Sequence, residues 1–347
     1  MRELGGVRPG RMGHAYCTLF DRSFLFRGLA LHDSLERHAG GFTLWILCMD
    51  DTTYEVLERL ALPHVELIRL ADFEDDALRE AKSNRNALEY CWTCTPSVPL
   101  WVLTQHPELD SITYVDADLM FFSDPEPLFD ELGTGSVSII EHRYAPRFEH
   151  LVTESGIYNV EYLTFRNDVR GLAVLEWWRD RCNEWCYDRV EDGKLADQMY
   201  LNDWTTRFPG VVVLKHPGAG LAPWNVESFE VDEHDGRTTV NGEPLIFFHY
   251  SSFAIEDDGG FIFTPAKADY RIGPRIKRII YEPYVRAIED AFAQVDEVEP
   301  GYRYGIHAIT AEEKAERQRM ERKTSIARFI NGIPPLRWAW SLIRRSG

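Results

Sequence analysis

The stretch that decides the fold is ITYVDADLMFF, residues 112–122. It opens with apolar, β-branched and aromatic residues, the composition of a strand buried in a core. Asp116 and Asp118 follow two positions apart, and side chains at that spacing point the same way in an extended chain. The pattern therefore predicts two carboxylates side by side at the carboxyl end of a core strand.

The residues of this stretch leave two interpretations of the acidic pair open. Neighbouring carboxylates repel each other and resist burial unless a cation lies between them. Oxygen ligands favour a hard divalent ion such as Mg²⁺ or Mn²⁺. The alternative is a solvated acidic turn, after which Ser123-Asp124-Pro125 caps the next helix.

Strand-like and helix-like segments alternate through the first half of the chain. Strands are predicted at 15–19, 43–48, 65–70, from 112, and at 136–141, and helices at 24–38, 54–60, 86–104 and 125–132. This alternation is typical of a parallel sheet with helices on both faces. Ligands of such sheets bind beyond the carboxyl ends of the strands. We therefore expect Asp21, Asp50 and Asp51 at the same edge as the acidic pair.

The second half of the chain continues this pattern less regularly. We predict a half-exposed strand at 158–165, a helix from Asp168 to about Arg189, a helical segment at 197–204 and a strand at 211–214. A polar hairpin at 226–244 and a buried strand at 245–248 follow, and that strand ends at His249. Two further helices are predicted, at 274–295 with an interruption at Pro283 and at 311–330.

The net charge of the chain argues against nucleic acid as a partner, and the charge is unevenly distributed along the sequence. The net charge of −18 makes nucleic acid a poor partner, because its phosphates require a basic surface. Residues 301–347 hold ten Lys and Arg against four Asp and Glu, a net charge of +6, so the first 300 residues carry −24. Among the six cysteines, Cys91 and Cys94 fit a C-x-x-C pattern, but no second pair has zinc spacing, and we expect reduced thiols in the cytoplasm.

Four motifs in this order resemble the GT-A nucleotide-sugar glycosyltransferases, above all family 8 and its bacterial nucleotide-diphospho-sugar transferase relatives. The resemblance covers roughly residues 15–255. It rests on Tyr114-Val115-Asp116-Ala117-Asp118 as the D-x-D strand, Tyr158-Asn159-Val160 as the asparagine-bearing acceptor strand, Asp197-Gln198-Met199-Tyr200-Leu201-Asn202 as the D-Q-x-x-L-N segment, and the late His249.

The resemblance implies a Rossmann-like α/β fold with a mixed, mostly parallel sheet flanked by helices. We expect a flexible leader at 1–14, a catalytic domain at 15–265 and a helical C-terminal extension at 266–347. The implied activity is transfer of a sugar from a nucleotide-diphosphate sugar, a UDP-sugar being favoured, to a glycan or lipid-linked acceptor. Retention of anomeric configuration is implied as well.

The resemblance also implies roles for individual residues. Mn²⁺ or Mg²⁺ would be held by Asp116, Asp118 and His249, although His249 is also interpretable as a core histidine. If the enzyme instead inverts, Asp197 is the candidate general base. The residues expected near the reacting groups are Asp197, Gln198 and Asn159, and those expected to bind substrate are Thr18, Phe20, Asp21, Arg85, Glu89, Trp224, Asn225 and Lys215.

The sequence departs from family 8 after the late histidine. A lysine-containing K-P-W segment usually follows there and holds the diphosphate, whereas this chain continues His249-Tyr250-Ser251-Ser252-Phe253. Lys215 or Arg85 would have to compensate. Two other functions stay open: a sugar-1-phosphate nucleotidyltransferase, which normally has a glycine-rich loop after the first strand, and a non-catalytic nucleotide-sugar-binding scaffold.

The C-terminal tail resembles an interfacial membrane anchor. Trp338 and Trp340 lie among Arg337, Arg344 and Arg345, and aromatic side chains with interspersed arginines suit the headgroup region of an anionic membrane. We expect a cytoplasmic protein with peripheral contact at the inner face of the membrane. The alternative is a tail that packs on the acidic body or on another subunit.

Overall fold

A central seven-stranded sheet organises the chain. The computed structural model describes residues 13–257, 259–264, 268 and 270–308. The strands of the central sheet are β1 (His14–Phe20), β2 (Phe42–Cys48), β3 (Val65–Arg69), β4 (Ser111–Val115), β6 (Val137–Glu141), β7 (Tyr158–Arg166) and β8 (Val211–Leu214). Their order is β3-β2-β1-β4-β7-β6-β8. All pairs are parallel except those of β7, which runs antiparallel to β4 and β6.

Within the described residues, the other strands form three small sheets. They are β5 (Leu119–Phe121), β9 (Val231–His234), β10 (Arg237–Val240), β11 (Glu243–Pro244), β12 (Phe247–His249), β13 (Ala254–Glu256), β14 (Phe261–Ile262) and β15 (Ile306–His307). The pair β5–β12 is antiparallel and lies directly beyond the acidic stretch. The predicted polar hairpin is the three-stranded sheet β11-β10-β9.

Helices cover both faces of the central sheet. They are α1 (Leu25–His38), α2 (Asp51–Leu60), α3 (Leu70–Phe73), α4 (Asp76–Lys82), α5 (Ala87–Cys94), α6 (Ser97–Gln105), α7 (Glu126–Leu132), α8 (Leu151–Ser155), α9 (Val169–Glu184), α10 (Trp204–Arg207), α11 (Pro274–Ile276) and α12 (Glu282–Val298). One apolar cluster lies on each side of the sheet. The predicted α/β class with a mixed, mostly parallel sheet is confirmed.

Several predicted element boundaries are wrong. The long helix predicted at 86–104 is two helices, α5 and α6, which are separated at Thr95-Pro96. Helix α9 ends at Glu184 rather than near Arg189, and the segment predicted at 197–204 is a 3-10 turn, Met199–Asp203, followed by α10. Strand β7 was predicted as half-exposed, but its residues up to Phe165 are all buried, because β7 lies between β4 and β6.

Two of the aspartates at the carboxyl edge of the sheet have structural partners. Asp21 caps the 3-10 turn Arg22–Phe24, since its side chain accepts from the Ser23 N–H at 2.8 Å. Asp50 caps α2 by accepting from the Thr53 N–H at 2.9 Å, and it also pairs with Arg22 at 3.2 Å. N-terminal caps of this kind satisfy backbone donors that have no partner within the helix.

Helix α12 packs on α1 and on the segment that follows β12. Its Tyr284 stacks on Tyr250 with ring centroids 3.6 Å apart, and its Phe292 contacts Phe26 of α1 at 3.9 Å. The interruption predicted at Pro283 is wrong, because Pro283 lies in the first turn of α12, and a π-helical turn, Lys277–Tyr281, precedes that helix. The predicted domain boundary at residue 265 stays a prediction. Residues 1–12 of the predicted leader, the predicted helix at 311–330 and the basic tail lie outside the described residues.

In the described part of the chain, the helices are all too short or too polar to cross a membrane.

A close approach of α1 to β1 supports a testable prediction about stability. A Cβ at Gly28 would lie 2.4 Å from the buried ring of Phe20. Gly28→Ala is therefore expected to lower the free energy of unfolding by roughly 1–3 kcal/mol through overpacking, measured by urea denaturation. Gly273→Ala is the control, since a Cβ there meets nothing within 4 Å. Equal stability of the two variants would contradict the described packing.

Candidate active site

Three side chains of the types that ligate metal ions converge at the carboxyl end of β4. Asp116 and Asp118 follow that strand directly, and His249 is the last residue of β12. One ligand atom from each of the three lies within 4.8 Å of the others. The Nε2 of His249 is 3.2 Å from Asp118 Oδ1 and 3.8 Å from Asp116 Oδ2. These are the three residues that the sequence predicts as metal ligands.

Strand pairing brings these residues together across more than a hundred positions of sequence. The antiparallel register of β5 and β12 places Leu119 opposite His249, and the Tyr250 N–H donates to the Asp118 carbonyl at 3.0 Å. On the other side, the Asp116 N–H donates to the carbonyl of Glu161 in β7 at 3.0 Å. The acidic stretch is thus held between two strands that come later in the sequence.

The electrostatics of the cluster reflect burial and close charges. Burial raises the pKa of Asp116 to about 6, because the opposing effect of His249 is smaller. Burial acts in the same direction on Asp118, but there the charge and hydrogen bond of His249 prevail and lower its pKa. Burial alone would lower the pKa of His249, yet the carboxylates of Asp118 and Glu161 raise it well above its usual value.

The donor set suits a divalent cation. Two carboxylates and one imidazole form a ligand set that Mn²⁺ accepts, and carboxylates suit Mg²⁺ as well. In the structure, His249 is the positive partner of the two carboxylates. A cation bound to both carboxylates would take over that electrostatic role. The bound state would also require a neutral imidazole, because a metal ligand must be deprotonated. The chemistry of the three residues therefore fits the implied ion.

The cluster lies in the wall of a cavity of about 620 Å³. One wall is formed by the loop after β1 and by α5, and its residues include Phe20, Asp21, Phe24, Leu88, Cys91 and Trp92. The opposite wall includes His142, Tyr144, Leu151, Gln198, Trp224 and Tyr270. Among the described residues that line the cavity, none is a lysine or an arginine. In the central sheet, β1 and β6 lie on opposite sides of β4, whose carboxyl end carries the acidic cluster.

Eight of the predicted site residues line this cavity. Besides the three candidate ligands, these are Phe20, Asp21, Asn159, Gln198 and Trp224. Gln198 donates to the Ser155 carbonyl at 2.5 Å, which holds its amide against α8. The indole N–H of Trp224 donates to the His142 carbonyl at 3.0 Å, and its ring lies edge-on to His249 at 5.4 Å.

Three predicted residues are buried behind the cavity walls. Asn225 is fully buried, and its amide donates to the carbonyls of His142 and Gly220 at 2.8 and 2.7 Å. Thr18 is fully buried in β1. Asp197 is 4% exposed, and its pKa is raised to about 7 by burial and by the nearby charge of Asp116. None of these three lines the cavity.

The three remaining predicted residues lie away from the cavity lining as well. The guanidinium of Arg85 stacks over the ring of Tyr187 at 3.8 Å. Glu89 forms a capping box with Asn86 at the start of α5. The Nζ of Lys215 pairs with Glu141 at 2.9 Å. The structure therefore does not bring Arg85 or Lys215 to the cavity in place of the missing lysine.

Several residues near the site were not singled out from the sequence. Glu161 is 1% exposed and contacts His249, and its position two residues after Asn159 is a signal that the two share one face of β7. Arg27 is 7% exposed and donates to the carbonyls of Ser23 and Phe253 at 3.1 and 2.7 Å. Nothing local in the sequence indicates that Arg27 ties these two loops together.

The raised pKa of Asp197 leads to a prediction about stability and pH. Between its unfolded pKa of 3.8 and its folded pKa of about 7, the folded protein retains a proton that the unfolded chain loses, so stability falls as pH rises. In EDTA, Asp197→Asn is expected to be more stable than wild type at pH 8, by up to roughly 4 kcal/mol. The gain should vanish near pH 4.

Chemical denaturation across pH 4–8 measures this difference. Asp192→Asn is the control, because Asp192 is exposed and has a left-handed backbone conformation that asparagine also adopts. A difference between Asp197→Asn and wild type that does not change with pH would contradict the burial of Asp197 as a carboxylic acid.

Two known proteins align with most of this chain. No family model matches the chain. It is 32% identical to the uncharacterized protein YfnD of Bacillus subtilis (strain 168) over 300 residues, which cover 85% of this chain and 96% of YfnD. It is 36% identical to the uncharacterized protein YfnF of the same organism over 251 residues, which cover 70% of this chain and 83% of YfnF.

Among solved structures, the chain is similar to the galactosyltransferase LgtC. The TM-score is 0.49 at 14% identity, and the match covers 87% of this chain and 99% of LgtC. By the identity and coverage of the two Bacillus relatives, this chain belongs to the same protein family as YfnD and YfnF.

Proposed function

We propose that this chain is a divalent-metal-dependent glycosyltransferase of the GT-A type. It moves a sugar from a nucleotide-diphosphate sugar, with a UDP-sugar favoured, to a hydroxyl of a glycan or lipid-linked acceptor. The observation that carries the proposal is the convergence of Asp116, Asp118 and His249 within 4.8 Å at the wall of a cavity of about 620 Å³. That cavity lies at the carboxyl ends of parallel strands, where ligands of open α/β sheets bind.

The wall next to β1 suits the nucleoside of the donor. Phe20, Phe24, Leu88 and Trp92 give it an apolar surface, and Asp21 contributes an acceptor for hydroxyl groups. A pocket with a largely apolar lining and a few polar groups is the usual form of a small-molecule site. A nucleotide whose base is bound there would direct its diphosphate toward the acidic cluster.

The cluster is proposed to receive the diphosphate through the cation. Asp116, Asp118 and His249 would hold Mn²⁺ or Mg²⁺, which supplies Lewis-acid stabilisation of the charge that develops on the departing phosphate. The lining residues that the structure describes include no Lys or Arg. Diphosphate binding should therefore depend strongly on the cation, because the protein side chains at the cavity surface would otherwise repel it.

The position of the carboxylates supports retention of configuration. Asp116 and Asp118 are assigned to the cation, and Asp21 caps the turn after β1. Asp197, the candidate base for an inverting reaction, does not line the cavity. A front-face reaction needs no protein base, since the departing phosphate can take the proton of the acceptor hydroxyl. Gln198 and Asn159 would then contact the sugar ring and position it.

The opposite wall suits a neutral acceptor ring. Tyr144 stacks on His142 with centroids 4.6 Å apart, and Trp224 packs edge-on against His142 at 5.5 Å. Burial lowers the pKa of His142 to about 4, so its imidazole is neutral at physiological pH. Aromatic faces and neutral polar groups in this arrangement can pack on a saccharide and bind its hydroxyl groups.

Nucleotide binding tests the proposal most directly. Isothermal titration of UDP and other nucleoside diphosphates, with and without Mn²⁺, is expected to give cation-dependent binding of one nucleotide by wild type. Asp118→Ala should weaken that binding by roughly 100-fold or more, because the substitution removes a ligand of the cation. Asp110→Ala is the control, because Asp110 is exposed at the opposite end of β4.

Two experimental outcomes would overturn the proposed function. Binding that is indifferent to Mn²⁺ and to Asp118→Ala would leave the acidic stretch as a structural turn. Turnover of a nucleoside triphosphate and a sugar phosphate would instead indicate a nucleotidyltransferase. Hydrolysis or transfer from a nucleotide sugar, detected by release of the nucleoside diphosphate, distinguishes an enzyme from a binding scaffold.

Peripheral membrane contact through the C-terminal tail is a separate part of the proposal. Its support is the net charge of +6 in residues 301–347 together with Trp338 and Trp340. Deletion of residues 326–347 is expected to weaken sedimentation with anionic liposomes, because each basic residue near such a surface contributes about 1 kcal/mol. Unchanged liposome binding after the deletion would exclude the tail as an anchor.

A further inference from the structure

A buried carboxylate lies directly behind the candidate metal ligands. Glu161 in β7 is 1% exposed, although charged side chains are almost never fully buried without a partner. It is not one of the three candidate ligands. Such a residue requires a reason in the structure, and its contacts supply one.

One oxygen of Glu161 accepts two hydrogen bonds. The Nδ1 of His249 lies 2.6 Å from Glu161 Oε2, and the Nδ2 of Asn159 donates to the same oxygen at 2.9 Å. The backbone of Glu161 is fixed as well, because its carbonyl accepts from the Asp116 N–H at 3.0 Å. Glu161 thus contacts two of the three residues that form the cluster.

These contacts determine which nitrogen of His249 faces the cluster. With Nδ1 bound to Glu161, Nε2 is the nitrogen that lies 3.2 Å from Asp118. The ring of Trp224 packs edge-on against the imidazole at 5.4 Å and restricts its rotation. A carboxylate that accepts the second ring N–H of a ligating histidine fixes both the tautomer and the ring orientation.

We propose that Glu161 is the positioning residue of the cation centre: it accepts the Nδ1–H of His249 and thereby presents Nε2 to the ion. This assignment rests on the proposed function for the identity of the centre and adds a residue that the motifs do not contain. Asn159 belongs to the same arrangement, since its amide holds the Glu161 oxygen that His249 uses. Glu161 itself is not among the residues that line the cavity.

Cation binding by two Glu161 variants tests the proposal. Free Mn²⁺ is measured by electron paramagnetic resonance in the absence of nucleotide. Glu161→Ala is expected to weaken Mn²⁺ binding 10- to 100-fold, the usual effect of removing such a partner. Glu161→Gln should retain most of the affinity, because a single amide oxygen can accept both hydrogen bonds that Oε2 now accepts.

Thr164→Val is the matched control on the same strand. Thr164 is buried in β7, and its hydroxyl contacts Thr113 rather than the cluster. The Thr164→Val substitution should lower stability without changing Mn²⁺ affinity. This result would separate a general loss of packing in β7 from loss of the contact between Glu161 and His249. All variants are compared at a temperature at which circular dichroism shows them to be folded.

A spectroscopic readout on the metal-free protein complements the binding data. In wild type labelled with ¹⁵N-histidine, the Nδ1 proton of His249 should give a far-downfield signal, as a short hydrogen bond to a carboxylate does. The signal should disappear in His249→Gln, which assigns it, and in Glu161→Ala. It should shift upfield in Glu161→Gln, whose neutral oxygen accepts more weakly. If Glu161→Ala fails to fold, the upfield shift of the Nδ1 proton signal in Glu161→Gln is sufficient to test the positioning role.

The outcomes separate this inference from the proposed function. Mn²⁺ affinity in folded Glu161→Ala equal to that of wild type overturns the positioning role, even if the protein is a glycosyltransferase. An unshifted Nδ1 signal in Glu161→Gln overturns it as well, and so does a wild type that binds no Mn²⁺. A wild type that binds Mn²⁺ through the Glu161-held His249, but no nucleotide sugar, retains the positioning role and loses the proposed function.

Discussion

The constraint on which the rest of the site depends is the burial of like charges at the end of β4. Asp116 and Asp118 lie two residues apart in the turn that directly follows β4, and their side chains are only 27% and 13% exposed. Their repulsion has to be balanced by a positive group. In the structure that group is His249, which a distant strand delivers to the same point. A divalent cation would serve the same electrostatic need.

This constraint explains the arrangement of the surrounding elements. Strand β7 supplies Glu161 and Asn159 behind the histidine, and β5 and β12 pair immediately beyond the aspartates. Helix α12 packs Tyr284 on Tyr250, the residue that follows His249. The segment that carries the histidine is therefore held on both sides by packed aromatic residues and strands. Such rigidity is what a site needs when its ligands come from separate parts of a chain.

The cavity divides the chemistry between its two walls. The wall at β1 and α5 is largely apolar, whereas the wall at Tyr144 and Trp224 combines aromatic rings with neutral polar groups. The negative charge lies between them, at the cluster. A nucleotide-diphosphate donor followed by a saccharide acceptor has the matching order of chemistry, with a flat base, a charged diphosphate and neutral sugar rings. The proposed donor and acceptor positions follow from this order.

The sequence by itself determined the α/β class and the acidic strand end, because strand periodicity and the spacing of Asp116 and Asp118 are local properties. It also indicated His249, Asn159 and Gln198, which line the cavity, through motif order. It did not determine that Asp197 and Asn225 lie behind the wall or that Arg85 and Lys215 point elsewhere. Only tertiary structure decided these placements and the contact of Glu161 with His249. The register between strands far apart in sequence sets such contacts, and no local pattern encodes it.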